Sequence, residues 1–138
     1  MTAEELWKKS GLTGEYEAWG FGDDELTELV SSGKKTATSS AYACYEAEEE
    51  DLPEVGETSI LLDDNDDAIC IMRTTKVYTV PFKEVSAEHA AKEGEGDLSL
   101  DYWREVHKEF FTEELEEIGE SFSEDMLVVC EEFEVINV

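Results

Sequence analysis

The segment GKKTATSS, residues 33–40, sets two adjacent lysines, Lys34 and Lys35, directly before four hydroxyl residues: Thr36, Thr38, Ser39 and Ser40. A lysine and a threonine three positions apart suit two kinds of chemistry. As a neutral amine, Lys35 can take the proton of a Thr38 hydroxyl that attacks an acyl carbon; as an ammonium, it can hold a phosphate or an oxyanion. On a flat strand a spacing of three sends the two side chains to opposite faces. The pair therefore converges only where the chain turns, and Gly33, a natural stop for a preceding helix, supplies such a junction. Lys34 has a simpler use, balancing the negative C-terminal end of that helix.

Other residues can contribute to binding. Arg73 and Arg104 are the only arginines; each can fork onto a phosphate or carboxylate, or simply pair with a surface acid. Tyr42 follows the motif closely enough to stack on a flat base. Lys34, Tyr42, Arg73 and Arg104 are thus the ligand-binding candidates. His89 and Glu93 lie four apart, a spacing that can bind metal, but no third ligand accompanies them. The acidic runs EAEEED and DDNDD lack the spacing and glycine of a calcium loop. Cys44, Cys70 and Cys130 form no paired motif and read as free thiols. Neither a metal nor a cofactor is expected.

The elements that must position these groups follow from patterning. A short helix ending near Gly11 leads into the aromatic connector GEYEAWGFG. Asp23 or Asp24 caps a second helix with Leu26, Leu29 and Val30 on one face. The stretch KTATSSAYACYE begins as β-compatible and then becomes ambiguous. TSILLDD and AICIMRTTKVYTV read as strands joined in a hairpin across DDNDD, and Pro81 ends the second. Ser86 caps a short helix, SAEHAAKE. The longest helix, SLDYWREVHKEFFTEEL, is expected to turn Trp103, Val106, His107 and Phe110 inward. A closing strand, DMLVVCEEFEVINV, completes an α+β fold with a small mixed or antiparallel sheet flanked by helices. Residues 1–22, the first helix and the connector, pack on a domain formed by 23–138.

Ten Lys and Arg stand against thirty-seven Asp and Glu, a formal charge of −27. Such a field repels polyanions at long range, so nonspecific polynucleotide binding is not expected. A local cationic pocket is still possible, because salt screens beyond about 8–10 Å. Apolar residues make up 41% of the chain, enough for a real core. No apolar run approaches the roughly 20 residues of a membrane helix, and the acidic N-terminus resembles no signal peptide. A soluble cytoplasmic protein is the expectation, with no membrane partner.

The motif GKKTATSS resembles the G-x-K-x-x-T signature of the ASCH domain, a small β-barrel related to the PUA fold. The resemblance continues through VGETSILLDDNDDAICIMRTTKVYTVPFKEVSAEHAAKEGEGDLSLDYWREVHKEFF and EDMLVVCEEFEVI, covering roughly residues 20–138. It implies a PUA-like mixed β-barrel flanked by helices, with 23–138 as the ASCH domain. ASCH domains were proposed to bind RNA, and some act as ribonucleases that rely on the signature lysine. One small bacterial branch removes the acetyl group of N4-acetylcytidine with a Lys, a Thr and a downstream Glu. Lys35 and Thr38 match the first two positions, and HAAKE puts Glu93 in the third. The helix segment GEGDLSLDYWREVHKEFF, residues 94–111, has no clear counterpart in that branch.

The resemblance thus implies a hydrolase of a small nucleoside-like amide using Lys35, Thr38 and Glu93. A noncatalytic module for short RNA or a nucleotide, gripped by Lys34, Lys35 and Arg73, is the alternative, and a ribonuclease is a third. A lysine base must drop from about 10.4 towards 7–8. Lys34, Arg73 and Arg104 are the cations available to lower it. Glu93 and the overall field oppose them, which favours a charged Lys35.

Overall fold

A computed structural model describes residues 1–136. Five α-helices among them surround one sheet: α1 (Ala3–Ser10), α2 (Asp24–Ser31), α3 (Tyr42–Glu48), α4 (Ala87–Lys92) and α5 (Leu100–Glu117). The strands are β1 (Glu17–Trp19), β2 (Ala37–Ala41), β3 (Thr58–Leu62), β4 (Ala68–Pro81) and β5 (Leu127–Ile136), in the order β1-β3-β4-β5-β2. Among the described residues only β1–β3 is parallel, and the other three pairs are antiparallel. The sheet curls into a half-barrel, an α+β fold of the PUA-like kind, whose two free edges are β1 and β2.

β4 is the spine. Its first half pairs with β3, from Ala68 opposite Leu62 to Arg73 opposite Thr58. It pairs with β5 over nearly its whole length, from Ile71 opposite Ile136 to Pro81 opposite Leu127. A bulge between Thr74 and Lys76 lets so long a strand bend and serve both sides of the curl. Pro81, which has no N–H to donate, ends it and starts a 3-10 turn at Phe82–Glu84.

Apolar residues fill both faces of this sheet. Phe82, Trp103, Phe111, Leu115 and Val128 form the core under α5. Val30, Leu61, Met72 and Phe133 pack beneath α2, with Trp19 and Phe21 against them. Leu6 of α1 joins Ile60 and Ile71, so the N-terminal helix covers the outer side of β3 and β4.

Two local expectations shift. The buried residues of α5 are Trp103, His107, Phe111 and Leu115, a stripe at strict four-residue spacing. Val106 and Phe110, expected to face inward, are 36% and 47% exposed. The helix is apolar at two adjacent phases, and packing against the sheet buries the one that carries Trp103 and Phe111. The ambiguous YACYEAE forms α3, and three residues of the aromatic connector become β1, which a nonlocal parallel partner recruits.

Gly94 fixes how α4 meets the loop after α2. Its φ is +71°, and a Cβ there would overlap the Lys34 carbonyl. Gly33 also has a positive φ, +84°, but its Cβ would meet nothing. Gly33→Ala is therefore expected to cost about 1 kcal/mol of stability and Gly94→Ala about 3, read from urea unfolding. Equal losses would mean that the close approach at Gly94 is unimportant.

Candidate functional site

Lys35 leaves α2 on a pinned loop. The backbone N–H groups of Lys34 and Lys35 both donate to Leu29 O at 2.9 Å, and Thr36 N–H donates to Lys92 O at 2.7 Å. That last bond fastens the motif to the end of α4, and Lys35 turns inward until 2% of it is exposed. Its Nζ lies 3.0 Å from Glu93 Oε1, 3.4 Å from Glu93 O and 3.3 Å from Glu95 Oε2. An ammonium has three protons, and three acceptors meet them. The ring of Phe21 flanks the same Nζ, 5.8 Å from centroid to nitrogen.

Glu93 is the hub. It follows α4, whose N-terminus is capped by Ser86 Oγ accepting from His89 N–H. While Oε1 takes Lys35, Oε2 accepts from Ser39 Oγ at 2.6 Å and from the Trp103 indole N–H. His89 Nε2 and His107 Nε2 lie 3.4 and 3.5 Å from the same oxygen. Burial alone would push this carboxyl up. Hydrogen bonds from His107 and His89 and the charge of Lys35 outweigh it, holding Glu93 well below the usual carboxylate range.

Ser39 also lies 2.7 Å from His89 Nε2. Ionised Glu93 accepts the serine proton, so the Ser39 oxygen can accept from His89 Nε2, and among the described residues the buried His89 Nδ1 has no hydrogen-bond partner. His107 Nδ1 lies 2.9 Å from Trp103 O and its ring stacks on the indole at 4.3 Å. Glu93, Glu95 and His107 each bring a donor atom within 4.8 Å of the others, as metal ligands do. The Lys35 ammonium already lies against both glutamates, so a divalent ion would have to displace it.

Thr38 stands apart from this network. Side chains of β2 alternate, so Ala37, Ser39 and Ala41 are buried while Thr38 and Ser40 are half-exposed on the other face. Thr38 pairs across from Glu131 of β5 and lines a cleft of about 830 Å³. The cleft runs between the two free sheet edges and is closed by α3 and α5. Trp19, Phe21, Tyr45 and Phe110 form its flat walls, and Ser39 lies at its border with the buried network. Lys35 and Glu93 thus meet directly, and the hydroxyl joined to them is that of Ser39.

The binding candidates are scattered. Lys34 is exposed beside the motif. Tyr42 opens α3 and faces a smaller pocket with Glu46 and Leu115. Arg73 sits 3.8 Å from Glu134 and borders a hollow with Trp7 and Tyr16. Arg104 donates to Lys83 O at 3.3 Å, and among the described residues its buried Nε has no partner. Sequence reasoning missed Ser39 and Glu95 as partners of the network, and it turned Trp103 inward without its bond to Glu93. Only Glu95 left a visible signal, as an acid two residues beyond Glu93.

A curled mixed sheet, helices against it and a buried lysine–carboxylate network behind a signature turn define a PUA-like domain. Residues 17–137 match the ASCH domain family, and the chain belongs to it. The crystal structure of an ASCH domain from Lactobacillus crispatus is similar at a TM-score of 0.84 and 32% identity, covering 97% of this chain and 95% of that one. A protein of Enterococcus faecalis is similar at 0.85 and 41%, covering 96% and 84%. A Zymomonas mobilis ASCH protein, at 12% identity and a TM-score of 0.52 over 91% and 77%, shares the fold. No curated protein matches. Among the described residues no helix is long and apolar enough to cross a membrane.

Proposed function

We propose that this ASCH protein hydrolyses a small nucleoside-like amide of the N4-acetylcytidine type, with Lys35, Thr38 and Glu93 in the reaction. The observation that carries this reading is the buried Lys35–Glu93 pair, 3.0 Å apart, joined through the Ser39 hydroxyl to the edge of a ligand-sized cleft that Thr38 lines. Thr38 Oγ1 bonds to the acyl carbon, the C–N bond breaks, and the threonine proton leaves with the amine. Water then releases the acid from the threonine ester. Lys35 and Glu93 lie across β2 from Thr38 and act on that proton or the oxyanion through Ser39, which is bonded to Glu93 and borders the cleft. The flat walls suit a base stacked beside Thr38.

Incubation with N4-acetylcytidine, followed by ultraviolet absorbance, is expected to show turnover that falls at least about 100-fold in Thr38→Ala. Absence of turnover, or turnover that survives Thr38→Ala, sinks the proposal. Membership of the ASCH family supports one second reading, a noncatalytic module for a nucleotide or short RNA. Binding would then weaken with salt and fail in Lys35→Glu.

A further inference from the structure

The same cleft has an unusual electrostatic wall. Eight of its twenty lining residues are carboxylates, and none is Lys, Arg or His. Glu114 and Glu117 approach from α5, Glu131 from β5, and Glu17 and Glu57 from the region of β1 and β3. None of the ten Lys and Arg lines the cleft, and five are engaged elsewhere. Lys35 is sealed between Glu93 and Glu95, Lys76 and Lys92 both reach Glu132, Lys83 holds Asp125, and Arg73 faces Glu134.

Inside the cleft the acids have only weak or neutral partners. Glu131 Oε2 accepts from the Thr74 hydroxyl at 2.7 Å, and Glu114 has the Cys44 thiol at 3.7 Å. Burial, and then the charges of Glu57 and Glu17, push the Glu131 carboxyl up. Burial, with Glu117 and Glu48, does the same to Glu114. A positive group entering the cleft would relieve both, whereas a phosphate would meet the whole wall at close range with no donor cation. The aromatic faces of Trp19, Phe21, Tyr45 and Phe110 attract a cation as well as a flat ring.

We infer that the cleft takes a small, unphosphorylated organic cation, a flat ring bearing positive charge, and rejects nucleotides and RNA. This rests on the reading of the cleft as the place where substrate meets Thr38, and it ranks cationic nucleosides above neutral ones such as N4-acetylcytidine at that cleft. Amide hydrolysis fits such a wall: the acid product is an anion and would be repelled from the site as it forms.

Binding of three probes to the full chain by calorimetry tests the inference without any turnover. The probes are 3-methylcytidine, positively charged at neutral pH, cytidine, the neutral ring, and cytidine monophosphate. Expected is binding of 3-methylcytidine about tenfold tighter than of cytidine, with the monophosphate weakest. The preference should vanish in E114Q/E131Q and persist in E25Q/E28Q, which removes the same charge from the exposed face of α2. Equal affinities, a preference for the monophosphate, no binding of 3-methylcytidine at millimolar concentration, or equal loss in both double variants would each overturn it. A protein that prefers the cation yet cleaves no amide would leave this inference standing and remove only the hydrolase.

Discussion

Lys35→Met is expected to destabilise the protein by about 3–5 kcal/mol at neutral pH, because it strands a buried carboxylate while filling the lysine's volume. Lys34→Met, one residue away and exposed, should change stability by less than about 0.5 kcal/mol. The pH dependence gives a sharper test. The folded-state pKa of Glu93 lies well below its ordinary 4.5, so its stabilisation is present above pH 4.5 and is lost as pH falls through the folded value. Without Lys35 one of the forces lowering that pKa is gone, and the stranded carboxyl can protonate at higher pH. The gap between wild type and Lys35→Met should therefore narrow as pH drops below 4.5. Urea unfolding at pH 7 and pH 4 measures it. A gap that stays constant means that Lys35 stabilises by packing, not by charge.

Glu93→Gln should have the largest effect on any turnover, a loss of about 10²–10⁴-fold, because it removes the one carboxylate touching Lys35, Ser39 and Trp103 together. Charge is not the only loss. A glutamine has one acceptor oxygen, whereas Lys35 approaches one side of Glu93 and the serine and indole donors the other. Whichever way the amide is turned, its NH₂ faces a donor. The cost in stability is about 3 kcal/mol, and Glu95 remains as the only carboxylate partner of Lys35. Glu95→Gln, with its side chain 23% exposed, is the milder comparison. Turnover that persists at wild-type level in Glu93→Gln would reduce the hub to a structural role.

The parts of the fold legible in the sequence are those fixed by local chemistry. Ser86 signals the start of α4, DDNDD the β3–β4 turn, and Pro81 the end of β4. Lys35 and Glu93 were legible for another reason, the resemblance of GKKTATSS and HAAKE to ASCH signatures. Ser39 was not, because which hydroxyl of a Thr-Ser-Ser run faces inward depends on pairing with β5, and no local signal reports that register. The phase of α5 was misjudged for a related reason. Val106 and Phe110 are as apolar as the residues chosen for the core, and only the position of the sheet distinguishes them. The acid wall of the cleft gathers residues from 17 to 131, so it exists only after folding.

The bond from Ser39 to Glu93 has a consequence for how the edge of the sheet is laid down. β2 reads Ala-Thr-Ser-Ser-Ala, and its two alanines alone discriminate weakly between one face and the other. Slipped by one residue, the strand would still find backbone partners on β5. It would also bring Thr38 or Ser40 to the buried side, with Lys35 drawn away from its three acceptors. A buried charge tolerates no such shift. The ion pair, made between residues 58 apart in the chain, thereby rejects the misaligned edge and admits a single alignment of β2.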